Sequence, residues 1–353
     1  MSNPPSDADP AKVAFCSLTE SQLSILKSLP KAELHAHLNG CIPLAVLQQL
    51  ASEYSGEGGH TSDAIRQSLD KLKDGVELKE ISDFFSLFPT IYELTSTPNA
   101  IATATRAVLE SFLDGDSPQC SYLELRSTPR TTACMSRREY VEAIVAEVEK
   151  YPAEKAALIV SVDRRMSVAD AEECVTIAID LKNAGRRVVG VDLCGDPLAG
   201  DMQLLKSNFD RAREAGLGIT LHIAETEKNT SEDTLQLLSF KPDRLGHATF
   251  LDDAAKKIVL EQGICIEICL TSNILCKTVK SLQDHHVMYH FRLDHPVAIC
   301  TDDTLPFRNS MLGEYALLMA EPPHGLGLKE SEIKRIAEMG MQNRFPPRPR
   351  SDK

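Results

Sequence analysis

No stretch of this 353-residue chain reaches the roughly 18 successive apolar residues that span a bilayer, so a transmembrane helix is not expected. The first residues, Met1 to Lys12, are polar and Pro-rich and offer no apolar core for a signal peptide. Positive charge is also scarce. The 38 Lys and Arg against 51 Asp and Glu give a net charge of −13, which argues against a general nucleic-acid binder with a basic face. A phosphorylated small molecule is still compatible, since a few local basic groups hold one phosphate. The ten cysteines lack the paired spacing of a disulfide framework. Several of them (Cys265, Cys269, Cys300) sit in apolar runs, as buried thiols in a reducing compartment do. A cytoplasmic protein with no membrane or nucleic-acid partner is expected, with a monomer as the default.

Hydrophobic content of 42% is ample for a sizeable core. Eight short apolar or β-branched runs alternate with amphipathic stretches: Ala32–Leu34, Tyr122–Leu125, Leu158–Val162, Val188–Asp192, Ile219–His222, Arg244–Gly246, Ile264–Cys269 and Val297–Cys300. Helices are expected from Thr19, where Thr-Glu-Ser-Gln precedes an apolar run, and over Arg137–Val148, Val168–Ala184, Leu204–Ala215 and Ala254–Gln262. This alternation predicts an α/β fold, a (β/α)8 TIM barrel. The long gap between the first two strands must hold extra helices, one of them Ile81–Leu94. Its Phe84, Phe85 and Phe88 suit either a lid or ordinary core. Residues 1–18 read as a flexible tail, 19–345 as one barrel, and 346–353 as a disordered tail, with a loop at Ser55–Thr61.

Unusual polar residues fall at the strand ends. His35 and His37 follow the first strand two residues apart, on one side of an extended backbone. His222 ends the fifth, His247 the sixth, and Asp302 with Asp303 the eighth. In such a barrel these ends share one open face. A lone His there is usually structural, but together three histidines and an aspartate suit a borderline-soft divalent ion, zinc first. Glu225, three residues after His222, is placed to carry a proton between a metal-activated water and a substrate ring nitrogen. His285, His286, His290 and His295 lie outside this pattern and read as surface or structural.

At these residues the chain resembles the adenosine/AMP deaminase family of the amidohydrolase superfamily. The matching segments are Glu33-Leu-His-Ala-His-Leu-Asn-Gly40, Asp192-Leu-Cys-Gly-Asp196, His222-Ile-Ala-Glu225, Gly246-His247, Leu270-Thr-Ser-Asn273 and Thr301-Asp-Asp303, in family order. The resemblance implies one zinc ion per chain on His35, His37, His222 and Asp302. It makes Glu225 the proton shuttle and His247 the stabiliser of the attacking hydroxide, with Asp302 helping to align it. Asp303 and the Gly195 backbone would contact purine ring nitrogens. The adenosine deaminase-like branch is the nearest likeness, through Asn39, where true adenosine deaminases usually have Asp, through Tyr122-Leu-Glu-Leu-Arg-Ser-Thr-Pro-Arg130 and Val162-Asp-Arg-Arg165, and through Glu267-Ile-Cys-Leu-Thr-Ser-Asn273.

The implied substrate set is His37, Asn39, Tyr92, Thr128, Arg130, Asp163, Gly195 and Asp303. A neutral Asn39 tolerates a 5′-phosphate that an Asp would repel, and Arg130 is placed to pair with it. Tyr92 stands where relatives often carry a His, and after Asn343-Arg-Phe345 comes Pro-Pro-Arg-Pro in place of a further helical extension. The reaction so implied is hydrolytic removal of an amino or alkylamino group from purine C6, with N6-methyl-AMP first among substrates. Adenosine deamination is the nearest alternative. A catalytically inactive nucleotide binder would have lost Glu225 or a ligand, and neither is lost. A two-metal amidohydrolase would show a bridging Lys, which is not found.

Overall fold

The computed structural model describes residues 9–54, 62–74 and 85–345. Eight strands form one parallel sheet in sequential order: β1 Ala32–His37, β2 Tyr122–Ser127, β3 Ala156–Asp163, β4 Val188–Cys194, β5 Gly218–Ile223, β6 Arg244–His247, β7 Cys265–Ile268 and β8 Val297–Ile299. Nearly every strand residue is buried, as expected where side chains pack inward to a barrel interior and outward to helices. A parallel bridge between Ala36 and Asp302 joins the last strand's end to the first. The chain is the expected (β/α)8 barrel.

Each run read as a strand is one, with ends shifted by at most three residues. The helix over Arg137–Val148 is as expected, and those at Val168–Asn183, Met202–Glu214 and Asp253–Gln262 differ only at their ends. Thr19 caps Glu20–Ser28 in a capping box with Gln22. Between β1 and β2 the described residues hold helices Leu44–Glu53, Ser62–Asp74, Phe88–Leu94 and Pro98–Leu113. Phe84, the Ser55–Thr61 loop and the tail from 346 lie outside the described residues.

One expectation needs correction. Residues 10–17 of the segment read as a tail form a helix, Pro10–Ser17, packed on the helix Met311–Met319. Its fully buried residues are Ala11 and Ala14, Phe15 packs partly buried against the core, and Asp9 pairs with Arg308 at 3.0 Å. Eight residues with small buried side chains, preceded by a polar Pro-rich stretch, give little periodic signal. All ten cysteines are free thiols, and Cys265, Cys269 and Cys300 are buried as expected. Among the described residues no helix is long and apolar enough to cross a membrane.

The helix Met311–Met319 is buried along its whole length, Glu314 included. Burial lifts the Glu314 carboxyl to about 7, although the side chains of Thr271 and Asn309 and the Thr271 amide donate to it. The folded state therefore keeps a proton that the unfolded chain releases near its ordinary value of ~4.3, so stability falls as pH rises from there through about 7. Relative to Glu314→Gln, the wild type should lose on the order of 3 kcal/mol of unfolding free energy between pH 4 and 8. Urea titrations across that range test this, and parallel pH profiles for the two proteins would refute it.

Candidate active site

The barrel's closing seam builds the centre of the site. Beyond β8 the Asp302 amide donates to the His35 carbonyl at 2.9 Å, and the His37 amide donates to the Asp302 carbonyl at 3.0 Å. The seam that closes the sheet thus sets Asp302 beside both histidines of β1. Asp302 and His247 hold φ of 63° and 60°, in the left-handed region that non-glycine residues rarely occupy. Such strained turns persist where surrounding structure enforces them, often at functional sites.

Nε2 of His37 stands 3.3 Å from Nε2 of His35 and 3.2 Å from Nε2 of His222. The opposite edges of two of these rings are anchored. His35 Nδ1 donates to Glu267 Oε2 at 2.6 Å, and His222 Nδ1 lies 2.9 Å from the Leu193 carbonyl and 3.1 Å from Asp192 Oδ1. Burial would raise the Glu267 carboxyl, but Arg126 and Arg244 hold it at about 2, so it only accepts. A carbonyl also only accepts, which fixes the proton of both rings on Nδ1 and leaves lone pairs on Nε2. Burial, with His222 nearby, brings His37 down to about 3; burial likewise depresses His35. For His222 the Asp192 carboxylate outweighs burial and raises ring basicity.

Converging neutral imidazole lone pairs repel one another unless a cation lies between them. Two nitrogens ~2.0–2.1 Å from one ion, at angles of about 100–110°, stand roughly 3.2–3.4 Å apart, and the observed spacings agree. Asp302 Oδ1 lies 3.6 Å from Nε2 of both His35 and His37. Burial would raise its carboxyl, but the rings of His247, His35 and His37 keep it well below the ordinary range. The donor set fits a divalent ion. Ligand atoms of His35, His247 and Asp302 also fall within 4.8 Å of one another.

Beside this set, His247 Nε2 lies 3.9 Å from Asp302 Oδ2 and 3.5 Å from Glu225 Oε1, and His286 donates from Nε2 to the His247 carbonyl at 2.8 Å. A cavity of about 730 Å³, measured out to open solvent, opens over these groups. Its wall includes His37, Asn39, Tyr92, Thr128, Asp163, Gly195 and Asp303 from the expected substrate set, together with Glu225, His247 and Asp302. Gly195 holds φ 92°, and a Cβ there would meet the Asp163 carboxylate at 2.6 Å, so its bare backbone faces the cavity. Tyr140 donates to Asn39 Oδ1 at 3.1 Å, which leaves Nδ2, 3.4 Å from Thr95 Oγ1, as the donor end of that amide. Asp303 is buried, its Oδ1 has no hydrogen-bond partner, and burial with the adjacent Asp302 charge pushes its carboxyl well up, which favours the neutral acid.

Arg130 is placed differently from expectation. It does not line this cavity but stacks behind Tyr92, 3.9 Å from the ring centroid, donates to Thr95 Oγ1 at 3.0 Å, and faces a neighbouring cavity. The strand-end position was legible, but the direction taken by its side chain beyond β2 was not. Arg165 lines the main cavity instead, paired with Asp163 at 2.5 Å. The sequence signal for it is the pair of successive arginines, Arg164 and Arg165, just past the β3 end. Arg164 is buried and donates to the His222 carbonyl at 2.6 Å. Arg126 braces the interior, paired with Glu267 and Asp192 at 2.8 and 3.3 Å. The surface reading fails for His285, His290 and His295, which are buried, and His285 meets Asn273 Oδ1 at 3.1 Å. Of the lid candidates, Phe88 is buried in the core and, with Phe85, also lines the cavity.

Residues 30–353 match the family model for adenosine deaminase. N6-Methyl-AMP deaminase of Danio rerio is 33% identical over 94% of both chains, and that of Homo sapiens is 35% identical over 82% of both. The crystal structure of Arabidopsis ADAL complexed with IMP superposes with a TM-score of 0.80 at 32% identity, covering 91% of this chain and 93% of that one. A seam-built histidine–aspartate cluster at the barrel mouth and matches over nearly the whole length agree, and the chain belongs to the adenosine deaminase family.

Proposed function

We propose that this chain is a zinc-dependent deaminase of purine 5′-monophosphates that converts N6-methyl-AMP and water to IMP and methylamine. The observation that carries this reading is Asn39, whose amide lines the cavity with Oδ1 engaged by Tyr140 and Nδ2 left to donate. A donor suits a phosphate, and an Asp there would repel one. Relatives named N6-methyl-AMP deaminase, 33–35% identical, support the same substrate.

His35, His37, His222 and Asp302 would hold the zinc, which when bound would supply a Lewis acid that brings the pKa of a water toward neutrality. Glu225 takes the water's proton and delivers it to purine N1, making C6 a better electrophile. His247 and Asp302 orient the attacking oxygen. The neutral Asp303 donates to a second ring nitrogen, and the Gly195 amide reads a third. The water oxygen adds to C6; the C6–N6 bond then breaks as the proton of the new C6 hydroxyl passes through Glu225 to the departing amine, leaving the C6 carbonyl of IMP.

One observation favours adenosine as substrate: Arg130 sits behind Tyr92, and Arg165, at the cavity wall, is already paired with Asp163. Turnover of N6-methyl-AMP, AMP, N6-methyladenosine and adenosine by the zinc-loaded protein decides between the two. A clear preference for N6-methyl-AMP is expected, and a preference for adenosine would overturn the phosphate reading.

A further inference from the structure

At the end of the barrel opposite the active site, the chain folds back under its own strands. The Phe345 ring sits beneath β4 and β5, where a Cβ on Gly190 would come within 2.7 Å of it and one on Gly218 within 2.4 Å. Both strands give up their side chains to admit this ring. The Arg244 guanidinium carbon lies over it, 3.7 Å from the centroid. The same guanidinium donates from Nη1 to the Asn343 carbonyl at 2.9 Å, from Nη2 to Glu124 at 2.6 Å and from Nε to Glu267 Oε1 at 2.7 Å. The Phe345 amide completes the clasp by donating to Glu124 Oε1 at 2.6 Å. Glu267 spans the barrel interior, and its other oxygen takes the proton-bearing edge of His35. Arg244, Glu124, Glu267 and His35 are each 1% exposed or less, and Phe345 is 5% exposed.

We propose that the Asn343–Phe345 segment is a plug that positions the metal-ligand set from beneath, acting through Arg244 and Glu267 on His35. Phe345 and Arg244 are thus positioning residues that touch neither substrate nor metal. The physical argument is one of alternatives. Glu267 has two cationic partners, Arg126 and Arg244, a hydroxyl donor in Thr220 at 2.9 Å, and one ring to hold. With the Phe345 face and the Asn343 carbonyl removed, Arg244 loses the surfaces that fix its plane. Glu267 then follows whichever guanidinium arrangement is best solvated, and His35 Nε2 no longer meets the other two nitrogens at the required spacing. Changing the partner that orients a ligating histidine typically weakens metal binding by about 10- to 100-fold.

The inference rests on the metal reading above, and its test separates the two. The rate at which a chelator strips zinc from folded, full-length protein is measured for the wild type, Phe345→Ala, Phe345→Leu and Phe112→Leu. Phe112 is buried in the helix Pro98–Leu113 and controls for lost core packing. Zinc loss is expected to quicken roughly tenfold or more in Phe345→Ala and by an intermediate factor in Phe345→Leu, which refills the space without an aromatic face. Phe112→Leu should match the wild type. In the Phe345 variants kcat should fall while KM holds, since the plug is far from the cavity. Retention at the wild-type rate in both Phe345 variants, or equal loss in Phe112→Leu, overturns the plug inference alone. A wild type that binds no zinc overturns the metal reading and this inference with it. If Phe345→Ala does not fold, Phe345→Leu decides.

Discussion

Glu225→Gln should lower kcat on N6-methyl-AMP by about 10²- to 10⁴-fold while metal content and thermal stability stay at wild-type levels. The substitution keeps the shape of the side chain and removes only its ability to take and give a proton. Glu225 lies 3.5 Å from His247 Nε2 on the cavity wall and is absent from the groups whose ligand atoms converge within 4.8 Å. A variant that loses its metal would show that Glu225 is a ligand. One that keeps activity within about tenfold of the wild type would mean that another group moves the proton, since general acid–base catalysis contributes at least about 10²-fold.

Asn39→Asp should cut kcat/KM for N6-methyl-AMP by about 10²- to 10³-fold and leave turnover of N6-methyladenosine within about tenfold. The asymmetry follows from charge. Two like charges ~4 Å apart, at an effective dielectric of about 20, repel by roughly 4 kcal/mol, and each 1.4 kcal/mol is a factor of ten. Tyr140 donates to the first side-chain oxygen and would favour the ionised Asp, so protonation offers no easy relief. Equal losses on nucleotide and nucleoside would show that Asn39 does not face the phosphate.

The sequence disclosed the barrel because parallel strands buried on both faces read as unbroken apolar runs, and such runs need no partner to be seen. It disclosed the histidines and aspartates for the complementary reason, that a polar residue ending an apolar run is conspicuous. Arg130 shows where such reading stops. Its position just past β2 was plain, but whether its guanidinium enters the cavity depends on Tyr92, which arrives from a helix elsewhere in the chain. The helix Pro10–Ser17 was hidden because it is short and its fully buried residues are two alanines. For the histidines from His285 to His295 the reading left surface and structural roles open, and burial decides for the structural one at His285, His290 and His295, because a loop does not announce what it packs against. Phe345 was the least legible of these, since its meaning lies in two glycines more than a hundred residues away.

The barrel seam carries one more consequence, for how the protein is made. Asp302 reaches its place only by pairing with the backbone of His35 and His37, so the ligand set unites some of the first core residues to leave the ribosome with some of the last. No nascent chain short of residue 302 can assemble the donor set. An ion bound there would fasten the first strand to the eighth across nearly the whole length of the barrel, and clips that close long loops restrict the unfolded chain most. Metal uptake would then be a finishing event in biogenesis, a latch on a barrel already wound.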